Sequence, residues 1–148
     1  MSGEARDYYL KGVKAIEGGR TLEALALVEK ALKTEPESPR YQSLFGLCIA
    51  KERGQITDAL EICEGALRAE PDIIEHYLYL GKVYRSAGLS IKAIDVIRKG
   101  LKIDSKHPGL IAEIETFGLR KNPVISYLSR QSVLNKYLGI IFSRLGLR

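Results

Sequence analysis

Residues 46–71 read GLCIAKERGQITDALEICEGALRAEP, and this stretch decides the fold because its pattern recurs on either side of it. Upstream, residues 12–36 are GVKAIEGGRTLEALALVEKALKTEP; downstream, residues 81–105 are GKVYRSAGLSIKAIDVIRKGLKIDS. Gly12, Gly46 and Gly81 stand 34 and 35 residues apart, and Ala24, Ala59 and Ala93 stand 35 and 34 apart. Pro36 and Pro71 keep the same step of 35, with Ser105 in the third slot. A fixed period of this length marks a repeat architecture, in which one small supersecondary unit is stacked several times.

Each unit divides into two amphipathic segments. In the second segment of the first unit the apolar residues are Leu22, Leu25, Ala26, Val28 and Leu32, and in the third unit they are Ile91, Ile94, Ile97 and Leu101. That is the stripe of a half-buried helix. Gly19, Gly54 and Gly88 fall where the first helices should end, at the left-handed position that glycine favours. Thr21, Thr57 and Ser90 are then expected as N-caps of the second helices. Pro36 and Pro71 close each unit, since proline lacks the amide hydrogen and clashes with the turn before it. Gly12, Gly46 and Gly81, set opposite Ala24, Ala59 and Ala93, are expected to let the paired helices approach closely.

These residues resemble the tetratricopeptide repeat family: a glycine in the first helix, Tyr84 three residues after Gly81, alanines at Ala24, Ala59 and Ala93, second alanines at Ala31 and Ala66, and a proline after the second helix. The likeness covers about residues 5–107. Departures are Ala15 and Ile49 where the family has Tyr, Gly100 for Ala, Ser105 for Pro, and one extra residue in the turn Arg53-Gly54-Gln55. The expected fold is all-α, a right-handed α-α superhelix of three helix pairs (5–38, 39–73 and 74–107) followed by a half-repeat helix at 108–119. Residues 1–120 form this solenoid, and 121–148 form a basic amphipathic segment that caps or docks.

Composition narrows the function classes. The 148 residues are 45% hydrophobic and 28% charged, with a mean hydropathy of -0.08, which is globular rather than disordered. No apolar run approaches the roughly 20 residues a membrane helix needs. The start, MSGEARDYYLKG, has no apolar core of a signal peptide. Cys48 and Cys63 form neither a disulfide framework nor a metal-ligand spacing, so a cytoplasmic protein is expected. The formal net charge of +5 is uneven. Through Glu115 there are 17 Lys and Arg against 18 Asp and Glu, whereas beyond it there is no acid and Arg120, Lys121, Arg130, Lys136, Arg144 and Arg148 add +6.

Catalysis has little to work with, and the chain is expected not to be an enzyme, to use no metal and to need no cofactor. His76 and His107 lack ligand partners at metal spacing and are expected in solvent or turns. Cys48 and Cys63 are expected as small core hydrophobes. No glycine-rich phosphate loop or nucleophile elbow is present.

The resemblance implies a role as an interaction scaffold or adaptor, with a protein or peptide partner lying in the concave groove lined by first helices. Counting along them, the groove should present Tyr9, Val13 and Ile16, then Ser43, Leu47 and Ala50, then Leu78, Lys82 and Arg85. Repeats of this family that hold acidic chaperone tails use a Lys and Asn carboxylate clamp, because a free carboxylate needs charge-assisted donors. The corresponding places here hold Tyr9, Val13, Leu44 and Glu75, which disfavours that ligand.

The tail admits three readings. Leu134, Tyr137, Leu138, Ile141 and Leu145 share one helical face, which could cap the solenoid over the LIAEIETFGL segment at 110–119. In a second reading it docks on a partner or mediates self-association. With Ile140, Phe142 and the basic residues it could bind an anionic membrane surface, making the chain a peripheral membrane adaptor. Six charges spread over 33 residues without a recognition motif argue against specific nucleic-acid binding.

Overall fold

The computed structural model describes residues 3–118. Seven helices succeed one another among them: α1 (Gly3–Glu17), α2 (Thr21–Thr34), α3 (Pro39–Arg53), α4 (Ile56–Ala69), α5 (Ile74–Ser86), α6 (Ser90–Ile103) and α7 (Pro108–Glu115). The chain divides into two units at 113/114, within α7. Of the second unit, the described part is the end of α7 and the turn after it, which closes on Gly118 at a φ of 77°. The first unit, Met1–Glu113, holds the hairpins. Helices pair as α1 with α2, α3 with α4, and α5 with α6. Successive hairpins stack through α2 on α3, α4 on α5, and α3 on α5. This is the expected all-α solenoid arrangement of three helix pairs.

The repeat period reappears as burial. Ala24, Ala59 and Ala93 are fully covered, and so are Val28, Cys63 and Ile97, which occupy one equivalent place in α2, α4 and α6. Cys48 and Cys63 are buried, unpaired thiols, as small core residues are; burial pushes both up to about 12, so neither is a thiolate at neutral pH. Close approach is also real. A Cβ on Gly46 would lie 2.6 Å from Cys63 Sγ and 3.3 Å from the Ala59 carbonyl oxygen. At Gly81 the residue met first is not Ala93 but Ile97, whose Cγ1 would be 2.6 Å away. The larger side chain in the third unit reaches across into the gap.

Hairpin turns differ from expectation in one respect. Gly19, Gly54 and Gly88 adopt φ of 79°, 67° and 79°, the left-handed conformation that ends a helix without a Cβ penalty. Yet the caps of α2, α4 and α6 are Arg20, Gln55 and Leu89, none with a side-chain cap hydrogen bond, and Thr21, Thr57 and Ser90 are already helical. The reason lies in the turn. The Arg20 amide donates to Ala15 O at 2.8 Å and the Leu89 amide to Tyr84 O at 2.9 Å, closing the preceding helix. The same two residues cap the next helix with their carbonyls, accepting from Ala24 and Ala93 at 3.0 Å. One residue serves both ends, which leaves no place for a separate polar cap. The extra residue of the second unit is absorbed by α3, which runs on to Arg53 and turns on Gly54 alone.

The long turns between hairpins carry a second repeated device. The Gln42 side-chain amide donates to Pro36 O at 2.8 Å, and 35 residues later the Tyr77 hydroxyl donates to Pro71 O at 2.7 Å. Beside each, a buried residue meets the acid that ends the previous helix. The Glu35 carboxylate lies by the Tyr41 phenol, and Glu70 Oε1 is 2.9 Å from His76 Nε2. His76 is therefore fully buried, contrary to its expected place in solvent or a turn: it takes the slot of Tyr41, and Leu110 takes the slot after it. Ser38 Oγ accepts from the Tyr41 amide at 3.4 Å and, with Pro39 at the first position, opens α3.

Candidate functional site

Stacking brings α1, α3 and α5 alongside one another, and between them lies a cavity of about 250 Å³. From α1 it is lined by Tyr9, Leu10, Val13, Ile16 and Glu17, residues three, four and seven apart that share one face. Helix α3 supplies Arg40 and Leu47, α5 supplies Glu75, Leu78, Tyr79 and Lys82, and His107 closes one side. The floor is aromatic. Tyr9 and Tyr79 form it; Tyr41 packs against Tyr9 behind it, with ring centroids 5.1 Å apart at 34°, and Tyr79 interacts with Tyr9 through its hydroxyl. Burial, with the Glu75 carboxylate secondary, raises the Tyr9 phenol above its ordinary value, and burial raises that of Tyr79 well above. Both stay neutral, so the floor contributes surface and hydrogen-bonding capacity rather than charge. The rim carries charge of both signs: Arg40 and Lys82 against Glu17 and Glu75.

Of the nine residues expected along the groove, Tyr9, Val13, Ile16, Leu47, Leu78 and Lys82 meet at this cavity. Ser43, Ala50 and Arg85 do not line it. Ser43 is wholly covered, and its carbonyl accepts the Cys63 thiol at 3.5 Å, which ties that turn of α3 to α4. Ala50 is buried too, because α3 is enclosed along most of its length. Arg85 is half exposed and is engaged by Glu113 of α7. Tyr9 and Leu47 reach the cavity although almost completely buried, whereas Leu10 is 47% exposed. Counting at helical spacing gives which residues share a face but not how deep each one lies. Leu10, Glu17, Arg40, Glu75, Tyr79 and His107 line the cavity without having been among the nine, and the cue available for Leu10, Glu17 and Tyr79 was their position next to expected members of the stripe. His107 had no such cue. Its place is set by the turn into α7, where its Nδ1 accepts the Leu110 amide at 3.3 Å.

Leu134, Tyr137, Leu138, Ile141 and Leu145, together with the basic tail, lie outside the described residues. Among the described residues, no group of three or more His, Cys, Asp or Glu is placed to hold a metal ion, and no helix is long and apolar enough to cross a membrane.

No family model matches the sequence, and no curated protein matches it. Solved structures do. TTC0263, a thermophilic TPR protein of Thermus thermophilus, is similar with a TM-score of 0.62 and 20% identity over 94% of this chain and 73% of that one. The Sgt2 TPR domain of Aspergillus fumigatus gives 0.61 and 21% over 87% and 83%. The first TPR of Spaghetti (RPAP3), solved bound to the HSP90 peptide SRMEEVD, gives 0.61 and 16% over 79% and 94%. The fold of this chain is that of the tetratricopeptide repeat domains.

Proposed function

We propose that the chain is a non-catalytic interaction module that takes a peptide or helix of a partner protein in the trough between α1, α3 and α5. One observation carries the reading: residues from three successive hairpins, distant in sequence, converge on one open, largely apolar cavity whose rim is polar. Such a surface offers an apolar side chain a place to be buried, and flanking charges to fix its direction. The Spaghetti domain of the same fold was solved with a peptide bound, which supports a peptide as the class of ligand. The chaperone tail is not the ligand favoured here. Of the four clamp places, Tyr9 and Leu44 are buried, Val13 is half-buried, and Glu75 is an acid that would repel a carboxylate.

Selection from a displayed library of random 12-residue peptides tests the proposal. Leu10→Glu combined with Leu78→Glu puts two charges on the trough wall while sparing the buried Tyr9. Circular dichroism should stay unchanged, and peptides enriched on the parent chain should bind the variant at least about tenfold more weakly, the loss of about 1.4 kcal/mol or more expected from burying charge against an apolar contact. Equal enrichment on both proteins would place the binding surface elsewhere.

A further inference from the structure

At one end of the trough the chain supplies its own anion. Glu113, on α7, is 4% exposed. Its Oε1 lies 3.7 Å from Lys82 Nζ, and its Oε2 pairs with Arg85 Nε. Lys82 and Arg85, three residues apart on α5, remain 31% and 41% exposed. Lys82 thus has two neighbours: it lines the apolar cavity and faces this carboxylate. A carboxylate taken out of water is stable only where charged donors replace its hydration. The two cations are therefore a finished carboxylate site, and Glu113 already occupies it.

Resting on the trough as the peptide site, we propose that Lys82 and Arg85 recognise a Glu or Asp side chain of the partner peptide and that Glu113 is its built-in competitor. The partner carries an acidic residue next to an aliphatic one. The aliphatic side chain enters the cavity among Leu10, Val13, Leu47 and Leu78, and the carboxylate replaces that of Glu113. The exchange is like for like, so the charge of the two cations stays matched throughout. Glu17 and Glu75, elsewhere on the rim, restrict the acid to the Lys82 side. As long as Glu113 holds the cations, apparent affinity is lowered by the fraction of molecules in which they are free.

Fluorescence anisotropy with two capped, labelled octapeptides tests this: Ser-Gly-Leu-Glu-Glu-Leu-Gly-Ser and its counterpart with Gln for both Glu. Glu113→Gln, which keeps the shape of the side chain, should tighten the Glu peptide by about tenfold and leave the Gln peptide within about twofold, the result of releasing a competitor occupied about nine-tenths of the time. Adding Lys82→Gln to Glu113→Gln should abolish the gain. Lys82→Gln alone, which leaves Arg85 paired with Glu113, should reduce the preference for the Glu peptide relative to the parent chain and serves as the test should Glu113→Gln fail to fold. An unchanged Glu-peptide affinity in Glu113→Gln, or a Glu preference in Lys82→Gln as large as in the parent chain, overturns the competitor while leaving the trough in place. If neither peptide binds any form and the displayed library yields no trough-dependent sequence, the trough itself is not the site.

Discussion

His76 shows what a single side chain does when the repeat puts it in a buried slot. Its Nε2 faces Glu70, but burial outweighs that partner and holds the imidazole below its ordinary pKa of 6.5. The folded chain then binds this proton less readily than the unfolded chain does. The stability associated with neutral His76 is complete above about pH 6.5 and is lost as the pH falls toward the lower folded value, at no more than about 1.4 kcal/mol per pH unit for one proton. Urea midpoints measured from pH 7.5 to 5.5 should decline, and His76→Leu, which copies Leu110 in the equivalent slot of the next unit, should flatten that decline. An undiminished slope in the variant would assign the proton uptake to another group. The burial of His76 was hidden from the sequence because histidine is compatible with either environment; what decides is Glu70, six residues earlier, and the turn that brings the two together.

Within a hairpin, the separation of the two helices is set by what stands at the glycine of the first. Alanine is the better helix former by about 1 kcal/mol, so Gly46→Ala would stabilise α3 if there were room. There is not: the added methyl would fall 2.6 Å from Cys63 Sγ. Net destabilisation of about 1–3 kcal/mol is expected from the overpacking, read from denaturant unfolding. Cys63→Ala removes the offending sulfur, and the double variant should recover at least about 1 kcal/mol relative to the sum of the single changes. Strict additivity would mean that the helices move apart at no cost. The glycine positions were legible from their spacing alone, but their partners were not. The alanines fit the expected meeting in the first two units only through their carbonyl oxygens, and in the third Ile97 takes over, because side-chain reach rather than sequence register selects the first contact.

Across the stacked unit, α3 is the element with most to lose. It packs on α1, α2, α4 and α5, and Tyr41, Leu44, Leu47, Cys48 and Ile49 are all at or near zero exposure. Stability in such arrays is a sum over units and their nearest neighbours, so the middle hairpin is held from both sides and the first from one. Native-state hydrogen exchange should find the slowest amides in α3, with α1 exchanging through openings of lower free energy. Uniform protection from α1 to α6 would instead indicate a single cooperative block.

The sequence by itself determined the period, the helix pairs, the glycine turns and the apolar stripe along each helix. These are local properties, set by the spacing of apolar residues along one helix and by which residues tolerate a left-handed backbone. Tertiary structure alone decided how deep each residue of the stripe lies, so that Ser43 and Ala50 are covered while Leu10 is open. It alone brought Glu113 to Lys82 and Arg85, and joined His76 to Glu70. The reason is that exposure and charge pairing depend on which neighbouring helix stands over a residue, a distance across the stack that no spacing along the chain encodes.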